Sequence, residues 1–415
     1  WRELTTTSPS GRHLGRYQAL IPNLDIHDEQ TGTIIPRYRQ KQLFIVKAIV
    51  AIINYCIRHN YTLHRWKTII NTMIFKEQGN YKIHRLHVIH IYEADLNLLL
   101  AVKWRQLLHH ANLQGTINNG LFGGRPGCEA QSLVFLEELK YDTSYCSRRT
   151  LFNFDNDATS CYDRIIIALA SIVNRKYGLH QRLVALHANT LQQARFHLRT
   201  INGISSESYS HCIEFPIYGS GQGSSNSPAI WLFISSTLCD VHNRISHGAS
   251  FTNPQGTDTV KLSMVAFVDD STGTYNDFQP QNEPSIHDML PHAQQDCQAW
   301  NDLLWCSGGK LELPKCSYHV LRFEFLPNGT PHPKKKCDDI QLLVKDAETG
   351  TMIPIPAKQA DDPHKTLGHW KAPIATRQSQ QLKALEAKAK DIAILIGTGA
   401  LSRHGADLAY HAMYC

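Results

Sequence analysis

Hydrophobic positions along this chain follow two spacings that change over irregularly. Residues 41–58 are almost continuously apolar over the length of a helix. Residues 93–112 have helical spacing, with Leu96, Leu99, Leu100, Lys103 and Leu107 near one face. The segment EAQSLVFLEELK, after the Gly-rich turn GLFGGRPG at 120–127, is also helical. Ile165, Ala168, Leu169, Ile172 and Val173 predict a helix that Gly178 stops, and a second helix is expected over about 181–198. A further helix starts near Pro228, which suits a first helical position, and carries Ile230, Phe233, Ile234, Leu238 and Val241. Another spans about 286–306, and the tail from about 377 reads as two helices separated by Gly397 and Gly399.

Strand patterns lie between these helices. Residues 69–92 read as short strands around a turn at Gly79-Asn80, and 152–157 (FNFDND) alternates. Residues 261–277 read as strand, two-residue turn, strand. GGKLELPKCSYHVLRFEFL, from Gly308, reads as a turn and a strand. Residues 1–40 are irregular, and 327–364, rich in Pro, Lys and Asp, are expected to be loops. No internal repeat is visible. The βα and ββ pieces do not alternate as in a parallel α/β fold, so the class is α+β.

Composition narrows this little. With 415 residues, 42% hydrophobic and 19% charged, the chain is globular and long enough for two or three subdomains. A net charge of +6 is compatible with a nucleic-acid partner. The 11 cysteines are odd in number and include no CxxC pair, which argues against a zinc ribbon or a disulfide framework. A reducing, intracellular compartment is expected, nucleus or cytoplasm. The apolar run Leu43–Ile57 is broken by Lys47 and Asn54 and falls short of the roughly 20 residues of a membrane span, so a buried helix and no membrane partner are expected. No signal peptide is visible. The chain begins with Trp1 rather than Met, so the parent's first residues are expected to be missing.

The candidate chemistry lies in acids. Phe267-Val268-Asp269-Asp270 falls at the predicted hairpin turn, behind the apolar strand Met264–Val268. Two-residue turns favour Asn-Gly or Asp-Gly. Adjacent aspartates there crowd like charge, which a cation relieves, although a solvated turn can carry the same pair. Nucleotidyl transfer uses two divalent metals roughly 3.5–4 Å apart, and hard cations take carboxylate oxygens. An aspartate at the end of the 152–157 strand, Asp155 or Asp157, would complete such a set.

Order and company sharpen the reading. FNFDNDATSCYDRI at 152–165, GSGQGSSNSPAIW at 219–231, AFVDDS at 266–271, GGKLELPK at 308–315 and KTLGHW at 365–370 match polymerase motifs A to E in sequence order. At these residues, and over most of the chain from about Phe75, the protein resembles the reverse transcriptases of retroelements, in the non-LTR retrotransposon and group II intron branch. The most specific piece is Gln222-Gly223 followed by Ser227-Pro228, a QGxxxSP signature that viral RNA-dependent RNA polymerases lack. FVDD is a variant of the family's aromatic-x-DD, with Phe267 in the aromatic place, and departs from the GDD of those viral enzymes.

The resemblance implies a right-hand polymerase with fingers, palm and thumb, its small antiparallel palm sheet backed by helices. Residues 1–150 would be an N-terminal extension and fingers. Residues 151–345 would be palm with a fingers insertion at about 180–214, and 346–415 primer grip and helical thumb. It implies two Mg²⁺, or Mn²⁺, held by Asp157, Asp269, Asp270 and the Ala158 carbonyl. Asp157 is preferred over Asp155 because the family's aromatic-Asp pair, here Tyr162-Asp163, follows the ligand at the fifth and sixth positions. Tyr162 matches the steric gate against a 2′-hydroxyl, and Asp163 is given no catalytic role. Gln222 and Gly223 match residues lining the nucleotide and template base. Lys76 and Arg85 fall where the family grips triphosphate, and Arg125 where it meets the template backbone. Lys315 matches the lysine proposed to protonate pyrophosphate. Leu367-Gly368 resemble the primer-grip turn, and Lys383, Lys388 and Lys390 fit a thumb on duplex. The implied partners are an RNA template, a DNA or RNA primer and dNTPs.

Two alternatives are weighed against this reading. An RNA-dependent RNA polymerase is disfavoured by Tyr162 and QGxxxSP. A decayed nucleic-acid-binding scaffold is disfavoured by the intact acids. Outside the motifs, His84, His87 and His90 alternate across a strand and make a poor metal set. Lys334-Lys335-Lys336 reads as a solvated loop, and Cys306, Cys316 and Cys337 read as buried thiols.

Overall fold

The structure is a computed structural model that describes residues 8–13, 15, 30–31, 33, 36–75, 82, 86–159, 161–212, 218–277, 285–335, 339–374, 377–399, 402–405 and 407. Its longer helices are α1 (Pro36–His59), α2 (Ala94–Leu113), α3 (Ala130–Ser147), α4 (Ile167–Lys176), α5 (Gln181–Gln192), α6 (Ser227–Ile245), α7 (Ile286–Cys306) and α8 (Arg377–Thr398). The strands used below are β1 (Thr68–Phe75), β2 (Leu86–Ile91), β3 (Leu151–Asp157), β4 (Arg195–Thr200), β5 (Met264–Phe267), β6 (Asp270–Tyr275) and β7 (Ser317–Leu321). The fold is mixed α and β, with several small sheets. No helix among the described residues is long and apolar enough to cross a membrane, and the described cysteines are free.

The chain divides into two compact units. The first comprises 1–128, 158–241 and 302–311; the second comprises 129–157, 242–301 and 312–415. In the first unit β1 is central. It runs antiparallel to β2, with Ile70 opposite Ile91, and parallel to β4, with Ile70 opposite His197. The expected helix over 181–198 therefore ends at Gln192, and its last third is strand. Phe196 is buried there while its neighbours are not, and pairing with β1 supplies backbone partners that outweigh helical propensity. The buried face of α2 carries Leu96, Leu99, Leu100, Trp104, Leu107 and Ala111, with Trp104 rather than Lys103 inside. On α4 the buried residues are Ile167, Ala170, Val173 and Asn174, while Ile172 is 66% exposed. The apolar spacing read from Ile165 is thus one step off, because Ile165 is buried ahead of the helix.

The expected burial of the first helix is met only in part: Cys56 is buried and Val46, Ile49, Ile53 and Ile57 are half-buried. On α1, Leu43, Phe44, Val50 and Tyr55 are exposed. Continuous apolarity reports what a helix could bury, not whether a partner is present.

The second unit is built on a five-stranded sheet. From one edge the order is residues 357–358, β7, β3, β6 and β5. It is antiparallel except for the short first edge. Alternation gives it two different faces. Phe152 and Phe154 lie on one face, where Phe154 shares an apolar patch with Cys297 and Trp300 of α7. Asn153, Asp155 and Asp157 lie on the other. Tyr141, Leu151, Ala249 and Leu321 form a buried cluster within this unit. Residues 327–364, expected as loops, carry short paired strands such as 343–345 with 352–354. Gly397 lies inside α8, which runs unbroken to Thr398.

Candidate active site

Three aspartates gather at one end of the second unit's sheet. Asp157, the last residue of β3, is the Cα partner of Asp270, the first residue of β6. Asp270 also pairs with Phe267 of β5, so Val268 and Asp269 form a two-residue turn. Val268 has φ 60°, the left-handed region that a β-branched residue enters only at a cost. Burial of its carboxyl group, then the charges of Asp269 and Asp157, push Asp270 up to about 6. Hard oxygens crowded enough to retain a proton suit a divalent cation such as Mg²⁺.

The end of β3 is fastened on its backbone. The Asp157 N–H donates to Cys316 Sγ at 3.5 Å, and its carbonyl accepts from the Glu312 N–H at 2.9 Å. Burial pushes the Cys316 thiol up to about 11, so it stays protonated. Lys315 lies in the same turn, exposed, its N–H donating to the Glu312 carbonyl.

Asp155, the competing acid, is engaged elsewhere. Its Oδ1 accepts from Lys371 Nζ at 2.9 Å, and Lys371 also contacts Glu137 of α3 at 3.4 Å. Glu137 pairs with Lys140 at 2.6 Å, and Lys140 donates to Asn153 Oδ1 and Thr274 Oγ1. Desolvation alone would lower Lys371, but the Asp155 and Glu137 carboxylates outweigh it and hold the ammonium above its ordinary range. Desolvation would raise Asp155, but Lys371 and two histidines hold it well below the carboxylate range. Those histidines, His319 and His364, are buried and stack with ring centroids 4.3 Å apart.

Other candidate residues belong to the first unit. Tyr162 lies in a single 3-10 turn, Cys161–Asp163, and its carbonyl accepts from the Ser220 N–H at 2.9 Å. This hydrogen bond joins the 161–163 turn to the Gly/Ser loop that begins at Gly219. Gln222 accepts at its carbonyl from the His90 N–H at 2.6 Å. A Cβ on Gly223, at φ 110°, would stand 2.2 Å from the His90 carbonyl oxygen. The glycine thus admits the edge of β2. Ser227 Oγ, beside Pro228, donates to the carbonyls of Ser220 and Gly221. Asn226 bridges Ser224 Oγ and His187 Nε2, and burial pushes His187 down to about 4, which keeps the ring neutral.

Ala158 forms an isolated antiparallel bridge with Leu311. Arg125 commits its guanidinium to the end of α2, through Asn112 Oδ1, and to the following loop, through the Asn118 carbonyl and Asn119 Oδ1. Lys76, Arg85, His84, Lys336 and Cys337 lie outside the described residues. Of the three cysteines read as buried thiols, Cys316 is buried and Cys306 is exposed.

Sequence reasoning missed Glu137, Lys140, His319, His364 and Lys371. One signal was available. Asp155 and Asp157 share a strand face, and an acid one step inside that face needs a counter-charge. Its source, more than two hundred residues away, was not readable.

No family profile and no curated protein matches the sequence. Among solved structures, the chain is similar to telomerase from Candida tropicalis in complex with a fragment of telomeric RNA, at TM-score 0.43 and 11% identity, covering 85% of this chain and 53% of that one. It is also similar to apo telomerase from Candida tropicalis truncated from its C-terminal domain, at TM-score 0.43 and 12% identity, covering 72% and 58%. The chain thus spans little more than half the length of either structure.

Proposed function

We propose that this chain is the polymerase core of an RNA-directed DNA polymerase, extending a primer 3′-hydroxyl with deoxynucleotides on an RNA template. The observation that carries the proposal is the pairing of Asp157 with Asp270 beside a turn occupied by Asp269. The ordered motifs A to E in the sequence support it. Asp157, Asp269 and Asp270 would hold two Mg²⁺, or Mn²⁺. When bound, the ions would supply an activated 3′-hydroxyl and charge neutralisation at the triphosphate.

The chain's own groups supply selection and proton handling. Tyr162 rejects a 2′-hydroxyl by bulk, its backbone held by Ser220. Gln222 and Gly223 line the nucleotide and template base. Lys315, exposed in the turn after Glu312, is the proton source for the leaving pyrophosphate. Lys76 and Arg85 grip the triphosphate. Arg125 stiffens the turn that meets the template. Leu367-Gly368, a two-residue turn with φ 50° and 86°, is the primer grip, and α8 is a thumb element. In this reading the second unit's five-stranded sheet is the palm of a right hand.

The test is primer extension on poly(rA)/oligo(dT) with dTTP or UTP, with and without Mg²⁺. The expected result is Mg²⁺-dependent incorporation of dTTP over UTP by the wild type and none by Asp269→Asn. Preferential UTP incorporation would make the chain an RNA polymerase. Duplex binding that is indifferent to Mg²⁺, with no incorporation, would make it a scaffold.

A further inference from the structure

The buried His319–His364 pair is not used by the polymerase reading and raises its own question. His319 is 0% exposed and His364 8%, and none of their four ring nitrogens makes a hydrogen bond of good geometry. Burying imidazole nitrogens without partners is costly. Their polar contacts are with Asp155 Oδ2, 2.9 Å from His364 Nε2 and 3.6 Å from His319 Nδ1. Lys371 occupies the other oxygen, Oδ1. One ligand atom from each of Asp155, His319 and His364 thus lies within 4.8 Å of the others. Donors around a tetrahedral ion with bonds of about 2.0–2.1 Å stand roughly 3.3 Å apart, so small side-chain shifts suffice to close on one.

We propose that Asp155, His319 and His364 form a binding site for a single divalent transition metal of the zinc class, separate from the Asp157–Asp269–Asp270 cluster. Two imidazoles and one carboxylate favour borderline Zn²⁺, Co²⁺ or Fe²⁺ over Mg²⁺, which prefers oxygen alone. The ligands come from β3, β7 and the first strand of the 364–371 hairpin, three segments distant in sequence. The ion would clip that hairpin to the sheet, beside the Lys371–Asp155 pair. Glu137 pairs with Lys140 and Lys371, and Asp155 with Lys371; a water would complete the coordination. This inference is independent of the polymerase reading.

The experiment uses the whole chain, stripped with chelator and reconstituted with Zn²⁺ or Co²⁺. Bound zinc is counted by elemental analysis, and Co²⁺ coordination is read from its visible absorption. The expected result is one equivalent of zinc and a low-symmetry Co²⁺ spectrum in the wild type. Both should be lost in His364→Ala and in the milder His364→Gln, each checked for native circular dichroism, and both retained in Asp157→Asn. Absence of stoichiometric zinc in the wild type, or Co²⁺ bands unchanged in both His364 variants, overturns the site and leaves a plain imidazole–carboxylate contact.

Discussion

Asp157 and Asp270 face each other as register partners across β3 and β6, so two carboxylates meet where both strands end. The Asp270 carboxyl is held up to about 6 from its ordinary 3.8, by burial and by Asp269 and Asp157. The folded state therefore keeps a proton between about pH 4 and 6 that the unfolded chain has released. Stability from this group is present at the acid end and falls as pH rises through 6. In chelator, Asp270→Asn should flatten that fall in a melting-temperature series from pH 4 to 7; with Mg²⁺ present, it should abolish primer extension. An unchanged pH slope would show that the acids are not crowded.

Lys371 is buried between Asp155 and Glu137, and removing one partner of a buried pair strands the others. Lys371→Met is expected to destabilise the protein by about 3–5 kcal/mol, read from denaturant unfolding. The double variant Lys371→Met/Asp155→Asn should recover part of the loss. Equal losses in single and double variants would contradict direct pairing.

Gly223 meets the His90 carbonyl where a Cβ would stand 2.2 Å away, at a φ that other residues avoid. Gly223→Ala should cost at least about 2 kcal/mol, from backbone strain and displacement of the loop. Gly124, with φ 75° but open space around it, should cost about 1 kcal/mol when changed to Ala. Comparable melting temperatures for the two variants would remove the His90 contact as the cause.

His187 is neutral in the fold, pushed down to about 4 by burial, while the unfolded ring titrates near 6.5. Its stabilising contribution is present above pH 6.5 and is lost as pH falls from 6.5 towards 4. His187→Gln should weaken acid destabilisation in that window, measured as the slope of melting temperature against pH.

Tyr162 carries the sugar selection in the proposed reaction. Tyr162→Val should raise UTP incorporation relative to dTTP by one to two orders of magnitude while leaving template use unchanged, roughly the 1–3 kcal/mol worth of a pocket contact. Unchanged discrimination would reassign Tyr162 to packing.

Much of this architecture was legible locally. The alternation in FNFDND marked β3, the apolar run before Asp269 marked β5, and Pro228 marked the start of α6 within one residue. Periodicity also failed in identifiable places. Ile172 follows the helical spacing yet points to solvent, and Phe196 belongs to a strand that pairs in parallel with the distant β1. Gly219 and Gly223 were visible in the sequence, but their fit against the backbone of Asp163 and His90 was not.

The sequence alone determined the order of the elements and the placing of three aspartates on two strand ends and a turn, because side-chain period and turn chemistry act over a few residues. Tertiary structure alone decided that Asp155 is tied to Lys371 while Asp157 faces Asp270, that two histidines share a buried corner, and that part of the apolar surface of α1 meets solvent. Charge compensation and burial depend on groups brought together from hundreds of residues apart, and no local pattern encodes which groups those are.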